Sequence, residues 1–528
     1  MFIHHRNHNS GKLYLLIFRA GLYVFLFCFV IFGAGCVLFR HFSPRTPFIV
    51  PSVDAFSERA YVYEIAGWAD EVAGISGIGA TNLIRIPYSC YGTLEVWTTD
   101  KWIFGWKGTR RAVLHLPGNE ALDIWGKEYF SKPEYHNLYI RLDSKSSDIT
   151  ERFNRGGSIM ATPPLPGYPF GRLVISRELD VRIKNFFRKQ KVQTGKDGNF
   201  LEIDTAWLKV GHVDELVNFL PVLDEGRFKL VVPAPLESLQ IIKEVAKKIP
   251  GRAIFYTPGS KEVEGRVKRS GSRWIEVEGC EIPSEKWTYL RIWKGKGAGQ
   301  VARVHKADKT RVIIEYVWDL RYGILSSENT EINKRSPSCQ IALAIEGFCD
   351  EMPIWFDLPD ETSRFLLVTG SRMWISESGE EIPAVMAIDE LVDDVLLTRV
   401  NTEAAVRCRK IEAYLQNALG LKDSDVLHMP VLFVSAYEDI SNVFALMPNN
   451  VNFQVFNREV ICLRPCGPRI DLFDDNSDPF LQSTFRILAS TGLNVHVLDG
   501  WDALHRNNGG ARCGMNVWRA FSRTGISF

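Results

Sequence analysis

Two short stretches of the chain contain residue types that could perform chemistry together. AWLKVGHVDELVNFLP (206–221) carries His212 and Asp214 two residues apart. On an extended strand, residues two apart point to the same face, so an imidazole and a carboxylate could share one cleft. GGARCGMNVWRAF (509–521) carries Cys513 among small residues that permit access to its thiol. Taken alone, each stretch also fits an ordinary interpretation: a satisfied histidine beside a solvated acid, and a buried structural thiol.

The surroundings of these residues resemble the catalytic domain of the protein-arginine deiminases. WLKVGHVDELVNFLP (207–221) and RCGMNVWR (512–519) are similar to two specific motifs of that family. Three more segments follow in the family's order: GGSIMATPPLPGYPFGRLVIS (156–176), LQNALGLKDSDVLHMPVLF (415–433) and FALMPNNVNFQVFNREVICLRPCGPRI (444–470). The resemblance covers roughly residues 90–250 and 385–528.

The resemblance implies a guanidine-modifying enzyme with an α/β fold, a five-bladed propeller of ββαβ units known as a pentein. An arginine guanidinium is cationic at ordinary pH, and carboxylates can hold it through paired, charge-assisted hydrogen bonds. The resemblance assigns this role to Asp214 and to Asp100. EVWTTDKWIFGW (95–106) places Trp97 and Asp100 at the family's spacing, so Trp97 is expected to line the alkyl stem of the arginine.

The same resemblance implies a covalent mechanism with Cys513 as the nucleophile. The thiolate would attack the guanidinium carbon, form a thiouronium intermediate and release ammonia, and water would then release citrulline. His212 is suited to protonate the leaving ammonia and to activate the water. Asn516 and Arg519 match further positions of the motif and are expected to position the loop or bind the substrate.

The segments that bind calcium and substrate in the family differ here. Calcium-dependent members carry acidic and amide ligands around the first aspartate, where this chain has Thr99, Lys101, Trp102 and Ile103. Calcium requires several oxygen ligands, which the Lys, Trp and Ile side chains lack, so we expect no metal at this position and no required cofactor.

The substrate class stays open, because Gly118 and Glu120 stand where the family has arginines, one of which is thought to read the substrate backbone. An arginine-containing protein or peptide is the expected substrate, and a small guanidine such as free arginine or agmatine is the alternative. A non-catalytic, membrane-tethered binding protein is a further alternative.

Composition excludes several other classes of protein. The chain has 528 residues, 46% hydrophobic and 24% charged, which suits a globular protein with a large core. Its formal net charge of +1 predicts no nucleic-acid partner. The 10 cysteines form no CxxC pair and no zinc-ligand pattern, so no structural zinc site is predicted.

The N-terminus carries a candidate membrane anchor. Residues 20–39 are uncharged and bounded by Arg19 and Arg40, and such a segment is long enough to cross a hydrocarbon core of about 30 Å as a helix. We expect a single-pass, membrane-anchored protein with a non-cytoplasmic catalytic part. Secretion after signal cleavage and a cytoplasmic location, as in the family, are the alternatives.

The rest of the chain divides by its sequence patterns. Residues 1–19 precede the span as a cytoplasmic segment or signal-peptide n-region, and 40–60 form a tether. Residues 61–250 and 385–528 are predicted as the two parts of the catalytic domain, where strand-like runs alternate with helical periodicity. Examples are a strand predicted at 226–235 and helices predicted at 236–249 and 403–419.

Between these two parts, 251–384 is strand-rich and glycine-punctuated and is predicted as an inserted β module, whose role would be protein contacts. Its glycines Gly295, Gly297 and Gly299 match no phosphate-binding motif and are predicted to form tight turns.

Overall fold

The computed structural model describes most of the chain beyond the N-terminus. The described residues are 46–87, 97–116, 120–133, 137–142, 151–223, 225–319, 350–376, 379–435 and 440–520, with no statement about side chains 120–123 and 350. The chain divides into two units, residues 1–48 and 49–528, and apart from Phe48 every helix and strand described lies in the second. The predicted membrane span, 20–39, lies outside the described residues, and none of the helices within them is long and apolar enough to cross a membrane.

Five sheets repeat one arrangement of strands. In each, an antiparallel pair is extended by a third strand that runs parallel to one member of the pair. The strands are Trp102–Lys107, Arg110–His115 and Leu138–Arg141; Ile159–Ala161, Leu173–Ser176 and Leu201–Ile203; Asn218–Val222, Arg227–Pro233 and Val426–Met429; Gln454–Phe456, Glu459–Leu463 and Asn494–Leu498; and Met515–Arg519, Ser57–Tyr63 and Leu83–Ile86.

A helix connects the two parallel strands in every one of these sheets. The connecting helices are Glu120–Phe130, Val181–Gln190, Pro235–Lys248 with Val395–Leu419, Pro479–Ala489 and Trp68–Ala73. A parallel pair needs such a crossover, because a short turn cannot return the chain to the start of the neighbouring strand. The local unit is therefore ββαβ throughout, and the predicted α/β class is confirmed.

The fifth sheet joins the two ends of the described chain. Strand Met515–Arg519, which begins two residues after Cys513, pairs antiparallel with Ser57–Tyr63, so residues more than 450 positions apart are hydrogen-bonded neighbours. Trp68, on the helix that follows Ser57–Tyr63, is fully buried and donates its indole N–H to the Gly514 carbonyl at 3.3 Å. The segment around Cys513 is thus held by a strand and a helix from near the N-terminal end of the described chain.

A separate β-structure interrupts the third ββαβ unit. Its strands, in hydrogen-bonded order, are Trp274–Glu278, Glu262–Gly271, Arg364–Val368, Tyr289–Lys294, Gln300–Ala307, Arg311–Asp319 and Asp350–Met352. Trp274–Glu278 also pairs with Arg311–Asp319, which closes six of the strands into a ring around an apolar interior. The predicted glycine turns have positive φ at Gly295, Gly297 and Gly299, a conformation that glycine adopts without strain.

The ring of six strands, called the β-ring, is joined to the ββαβ units by a buried ion pair and by the two chain connections. Arg291, on the ring, makes a bidentate ion pair with Glu390, with nitrogen–oxygen distances of 2.7–2.9 Å and both side chains buried. The chain enters and leaves through the paired strands Ala253–Ile254 and Met386–Ala387. The domain boundaries at 250 and 385 stay a prediction.

The remaining elements are short. They are the strands Phe48–Ile49, Met373–Ile375, Glu381–Pro383, Phe433–Val434 and Phe444–Ala445, and the helices or helical turns Thr98–Lys101, Gly156–Ser158, Val213–Glu215, Asp389–Val392, Asp423–Asp425, His505–Asn507 and Ala511–Gly514.

Candidate active site

Cys513 lies in a one-turn helix, Ala511–Gly514, between a glycine-containing turn and the strand that follows. Asn452, from a different ββαβ unit, fixes this turn with both ends of its amide. Its Oδ1 accepts from the backbone N–H of Arg512 at 3.0 Å and of Cys513 at 3.2 Å. Its Nδ2 donates to the Cys513 Sγ at 3.3 Å. The thiol is therefore held in a defined direction by a buried amide.

His212 and Asp214 do not lie on a strand, so that expectation was wrong. His212 is the extended residue before a 3₁₀ turn, Val213–Glu215, and strand Asn218–Val222 begins only after it. The Glu215 carboxylate accepts from the His212 backbone N–H at 2.8 Å, which competes with strand pairing and favours a turn. The imidazole and carboxylate nevertheless converge, because the turn directs both into the same buried space.

Asp100 lies in the short helix Thr98–Lys101, with its carboxylate Oδ1 3.6 Å from Nδ1 of His212. Gly157 makes this close arrangement possible. A Cβ at that position would stand 2.5 Å from His212 Nδ1 and 3.1 Å from Asp214 Oδ1. Any larger residue would occupy space that the two side chains use, so a glycine here has a steric reason.

The four predicted catalytic residues converge, although they come from three distant parts of the sequence. The ligand atoms of His212, Asp214 and Cys513 lie within 4.8 Å of one another, close enough to hold a metal ion, and Asp100 contacts the histidine. All four residues are at most 6% exposed. Their catalytic roles stay a prediction, but their proximity does not.

The carboxylates of this cluster have spare hydrogen-bonding capacity. Oδ1 of Asp100, both carboxylate oxygens of Asp214 and Nδ1 of His212 are buried and have no hydrogen-bond partner among the described residues. His212 Nε2, by contrast, lies 2.9 Å from the Arg152 carbonyl oxygen, which orients the ring. Buried acceptors without partners are costly in a protein, so this site is organised for a ligand that donates hydrogen bonds.

Arg512 and Glu215 add charges to the cluster that the sequence interpretation did not include. Arg512 Nε lies 3.3 Å from Asp214 Oδ2, and the arginine side chain is partly buried. Glu215 lines a narrow cavity together with Asn452, Gly510 and Cys513. The site therefore contains three carboxylates, one guanidinium of the protein itself and one imidazole.

Burial and charge together raise the pKa of Asp214, Glu215 and His212. Burial raises the pKa of Asp214 to about 6, against the opposing effects of Arg512 and His212, and it raises the pKa of Glu215 to about 7. Burial lowers the pKa of His212, but the charges of Asp100, Asp214 and Glu215 outweigh it, so that pKa is raised overall. An imidazolium is thus favoured in the unliganded site.

The Cys513 thiol is strongly disfavoured as a thiolate in the unliganded site. Burial raises its pKa well above the usual value, and the negative charges of Asp214 and Asp100 raise it further. A nucleophilic thiolate requires additional positive charge nearby.

Trp97, Asn516 and Arg519 lie around the cluster rather than within it. The Trp97 ring packs against Gly509, where a Cβ would stand 2.2 Å from the indole. Asn516 donates to the carbonyls of Thr98 and Trp102, at 3.1 and 2.7 Å, and so ties the Cys513 strand to the Asp100 helix. These contacts position the loop, whereas contact of Trp97 and Asn516 with substrate stays a prediction.

Arg519 is buried and its guanidinium is occupied by the protein itself. It donates to the carbonyls of Val53, Ala55 and Val455 and to Ser57 and Gln454. Burial and, to a smaller extent, the charge of Arg512 lower its pKa to about 9. The side chain connects three segments, which matches the positioning role expected from the sequence and leaves its substrate-binding role a prediction.

Most of the described chain matches one protein family. The family model for protein-arginine deiminase (PAD) matches residues 92–275 and 363–524, which is more than half of the chain. The chain belongs to the protein-arginine deiminase family. The matched residues include every residue of the cluster around Cys513, whereas 276–362, most of the β-ring, lies outside the match.

Curated relatives match over shorter segments. Protein-arginine deiminase type-3 from Homo sapiens is 30% identical over 227 residues, covering 40% of this chain and 32% of the relative. Type-4 from Homo sapiens is 26% identical over 191 residues, covering 33% and 28%. Type-1 from Mus musculus is 25% identical over 173 residues, covering 30% and 25%. The chain thus spans less than a third of the length of these relatives.

A solved structure of a C. jejuni agmatine deiminase overlaps 90% of this chain and 98% of its own, with 9% sequence identity and a TM-score of 0.40. An overlap of this quality supports no conclusion about fold or substrate.

Sequence interpretation missed three members of the cluster, and each lay in or beside a motif already noted. Arg512 and Glu215 directly neighbour Cys513 and Asp214, and Asn452 lies in the asparagine-rich segment MPNNVNFQ. The feature that could have indicated Asn452 is the alternation of apolar and polar residues in VNFQV (451–455), which places a polar side chain in an otherwise apolar segment. No spacing rule connects it to Cys513, because the two meet only through the tertiary fold.

Proposed function

We propose that this chain is a hydrolytic deiminase that converts the guanidinium of arginine in proteins or peptides to citrulline and ammonia. The observation that carries the proposal is the convergence of Asp100, His212, Asp214 and Cys513 in one buried cluster with unpartnered carboxylate oxygens. Membership of the protein-arginine deiminase family supports the same class of reaction.

The charge of the cluster suits a guanidinium substrate. Asp100 and Asp214 supply buried acceptors from two sides, and a guanidinium offers five N–H donors in a planar fork. Binding the cation would satisfy these acceptors and compensate their charge in a low-dielectric site, where such pairs are strong. A neutral substrate would leave the carboxylates uncompensated.

The proposed reaction uses Cys513 and His212 in two steps. The Cys513 thiolate attacks the central guanidinium carbon and forms a C–S bond, and the departing nitrogen takes a proton from His212 and leaves as ammonia. Water, deprotonated by His212, then attacks the same carbon, and the C–S bond breaks. The oxygen of citrulline comes from that water, and the thiol and imidazolium are restored.

A bound substrate cation would also lower the pKa of the Cys513 thiol. In the unliganded site, burial and two carboxylates keep Cys513 protonated. A substrate guanidinium between Asp100 and Asp214 would cancel much of that negative charge and would favour the thiolate. Substrate binding and activation of the nucleophile are therefore coupled in this proposal.

We propose that the five ββαβ units form the five blades of a propeller. Their shared strand arrangement, and the pairing of the last strand, Met515–Arg519, with Ser57–Tyr63 near the start of the described chain, support this architecture. In such an arrangement the residues that precede or follow equivalent strands meet near the centre. That explains how segments around residues 100, 212, 452 and 513 reach one cluster.

We propose that catalysis does not use calcium at the position next to Asp100. Lys101 is buried there, and the Trp102 ring packs against Trp125 and Phe130 with centroid distances of 5.6 and 5.3 Å. A buried ammonium and an aromatic cluster do not provide the oxygen ligands that calcium needs. The residues present do not fit that ion.

The substrate class is proposed from family membership, because Gly118 and Glu120, which stand where the family has arginines, lie where the structure describes no side chains. A small guanidine is the second candidate, for which the narrow cavity at Cys513 is the supporting observation. The membrane anchor at 20–39 and the role of the β-ring in protein contacts also stay predictions.

A citrulline assay on the purified full-length chain tests the proposed function. An arginine-containing peptide, free arginine and agmatine are compared, each with calcium and with chelator. We expect turnover of the peptide in chelator and its loss in Cys513→Ala, with Cys462→Ala, a buried thiol away from the cluster, as the matched control. No product from any substrate would contradict the proposal, and strict calcium dependence would contradict the proposed independence from that ion.

A further inference from the structure

Arg512 places a guanidinium of the protein itself against a carboxylate of the candidate site. Its Nε lies 3.3 Å from Oδ2 of Asp214, a residue that is fully buried. Arginine carries the same functional group as the proposed substrate. One of the two carboxylates expected to hold a substrate guanidinium is therefore already paired in the unliganded chain.

The pairing of Arg512 with Asp214 is electrostatic and is not locked by hydrogen bonds. Nε of Arg512 is buried and makes no hydrogen bond within the described part of the chain. The backbone of the residue, in contrast, is fixed at both ends: its N–H donates to Asn452 Oδ1 at 3.0 Å, and its carbonyl accepts from Thr99 Oγ1 at 2.5 Å. The backbone is anchored while the guanidinium is held by charge.

Space for the Arg512 side chain to move exists in a second cavity. Arg512 lines that cavity together with Thr99, Gly156, Asn516 and Arg519, and Cys513 is not among its lining residues. The cavity that contains Cys513, Glu215 and Asn452 does not include Arg512. The Arg512 side chain thus borders open space, and rotation about its own bonds could carry the guanidinium away from Asp214.

We propose that Arg512 is an internal competitor for the guanidinium site, which pairs with Asp214 in the unliganded chain and leaves it when a substrate guanidinium binds. This inference rests on the proposed function, because it requires that Asp214 receives the substrate. Every guanidine must displace Arg512 before it contacts both carboxylates. Small guanidines are therefore selected against, and substrates with further contacts along a peptide are favoured.

The charge balance of the site explains why such a competitor is useful. Without Arg512, the carboxylates of Asp100, Asp214 and Glu215 would lose one of their positively charged neighbours, and burying so many like charges is costly. Arg512 keeps Asp214 ionised in the absence of substrate. The same charge would weaken binding of any free guanidinium ion that diffuses into the site.

Binding to Cys513→Ala, which cannot turn over, tests the inference. Isothermal titration calorimetry would compare the single variant Cys513→Ala with the double variant Cys513→Ala, Arg512→Gln. The pH is 8.5, at which Asp214 stays ionised. The probes are methylguanidinium and N-acetyl-arginine amide. We expect both to bind at least about tenfold more tightly once the competing charge is removed. Arg182→Gln, which removes an exposed cation paired with Asp180, is the matched control and should leave both affinities unchanged.

Unchanged or weaker binding in Arg512→Gln would overturn the inference and would show that Arg512 supports the substrate. Arg512→Met, which keeps the apolar stem, provides a second variant with the same expected gain. If neither variant folds while Arg182→Gln does, Arg512 is a fixed structural residue and the inference fails. If no probe binds in any background, the guanidinium site itself is refuted, and the proposed function fails with it.

Discussion

The amide of Asn452 should control how easily the Cys513 thiol ionises. Its Nδ2 is 3.3 Å from Sγ, and its Oδ1 accepts from the backbone N–H of Cys513. Asn452→Ser would remove the donor to sulfur and loosen the turn. Asn450 provides a matched control because it is equally buried, 2% exposed, and its amide makes two bonds with Leu463, at 2.8 and 2.9 Å, away from the thiol.

The size of the effect follows from the strength of a hydrogen bond to a charged acceptor. Such a bond contributes about 1.5–3 kcal/mol, and one pKa unit corresponds to about 1.4 kcal/mol. The loss of the Asn452 donor should therefore raise the pKa of Cys513 by about 1–2 units. That pKa is already raised by burial, so at pH 8 the thiolate fraction would fall by about 10- to 100-fold.

Iodoacetamide alkylation of Cys513 reports the thiolate directly. The rate is followed by mass spectrometry of the peptide that contains Cys513, from pH 6 to pH 10, because Cys280 is only partly buried and would also react. We expect the pH–rate profile of Asn452→Ser to shift upward by about 1–2 units, with that of Asn450→Ser unshifted. Superimposable profiles for the two variants would refute the reasoning, whatever their stabilities.

Three further perturbations have defined outcomes. Gly157→Ala would place a Cβ 2.5 Å from His212 Nδ1, so the ring must shift and kcat should fall by about 10- to 100-fold, whereas Gly370→Ala, with its nearest contact at 3.6 Å, should leave kcat unchanged. Glu390→Gln would leave Arg291 buried without its counter-ion, so urea unfolding should show a loss of about 3–5 kcal/mol, and a loss below about 1 kcal/mol would contradict this account. Burial raises the pKa of Asp214 to about 6, so the affinity of Cys513→Ala for methylguanidinium should fall by roughly tenfold per pH unit below that value, and a flat profile from pH 5 to pH 7 would contradict it.

Resemblance to the motifs of a known family predicted the candidate site residues, whereas each motif alone also fits an ordinary structural interpretation. Cys513, His212, Asp214 and Asp100 were predicted in this way, and the structure brings them together. The prediction that His212 and Asp214 lie on a strand was wrong, since Glu215 bonds to the His212 backbone and forms a turn. Two-residue spacing is compatible with both backbones, so spacing alone could not decide between them.

The strands and helices could be located from periodicity, whereas their pairing could not. The predicted helix at 236–249 corresponds to Pro235–Lys248, and the predicted strand at 226–235 corresponds to Arg227–Pro233. The helix predicted at 403–419 begins earlier, at Val395, because Asp394 caps it there through Leu397 N–H. The closure of the β-ring depends on the contact between strands 274–278 and 311–319, for which no local pattern in the sequence exists.

The ionisation of the site could not be predicted from the sequence, because it depends on burial and on distances of a few ångströms. The chemistry of free cysteine predicts that positive charge, from the bound guanidinium or from His212, favours the Cys513 thiolate. In the structure, however, the carboxylates that raise the pKa of His212 also raise that of the thiol. A site with this balance stays protonated on both groups until a cation enters, so deprotonation of Cys513 and arrival of a guanidinium are linked.

The proposed displacement of Arg512 adds a second condition, since the entering cation replaces one that is already present. Reactivity of the thiol toward small electrophiles should therefore increase when methylguanidinium is bound without blocking access, and an unchanged alkylation rate at saturating methylguanidinium would show that the carboxylates do not couple the two events.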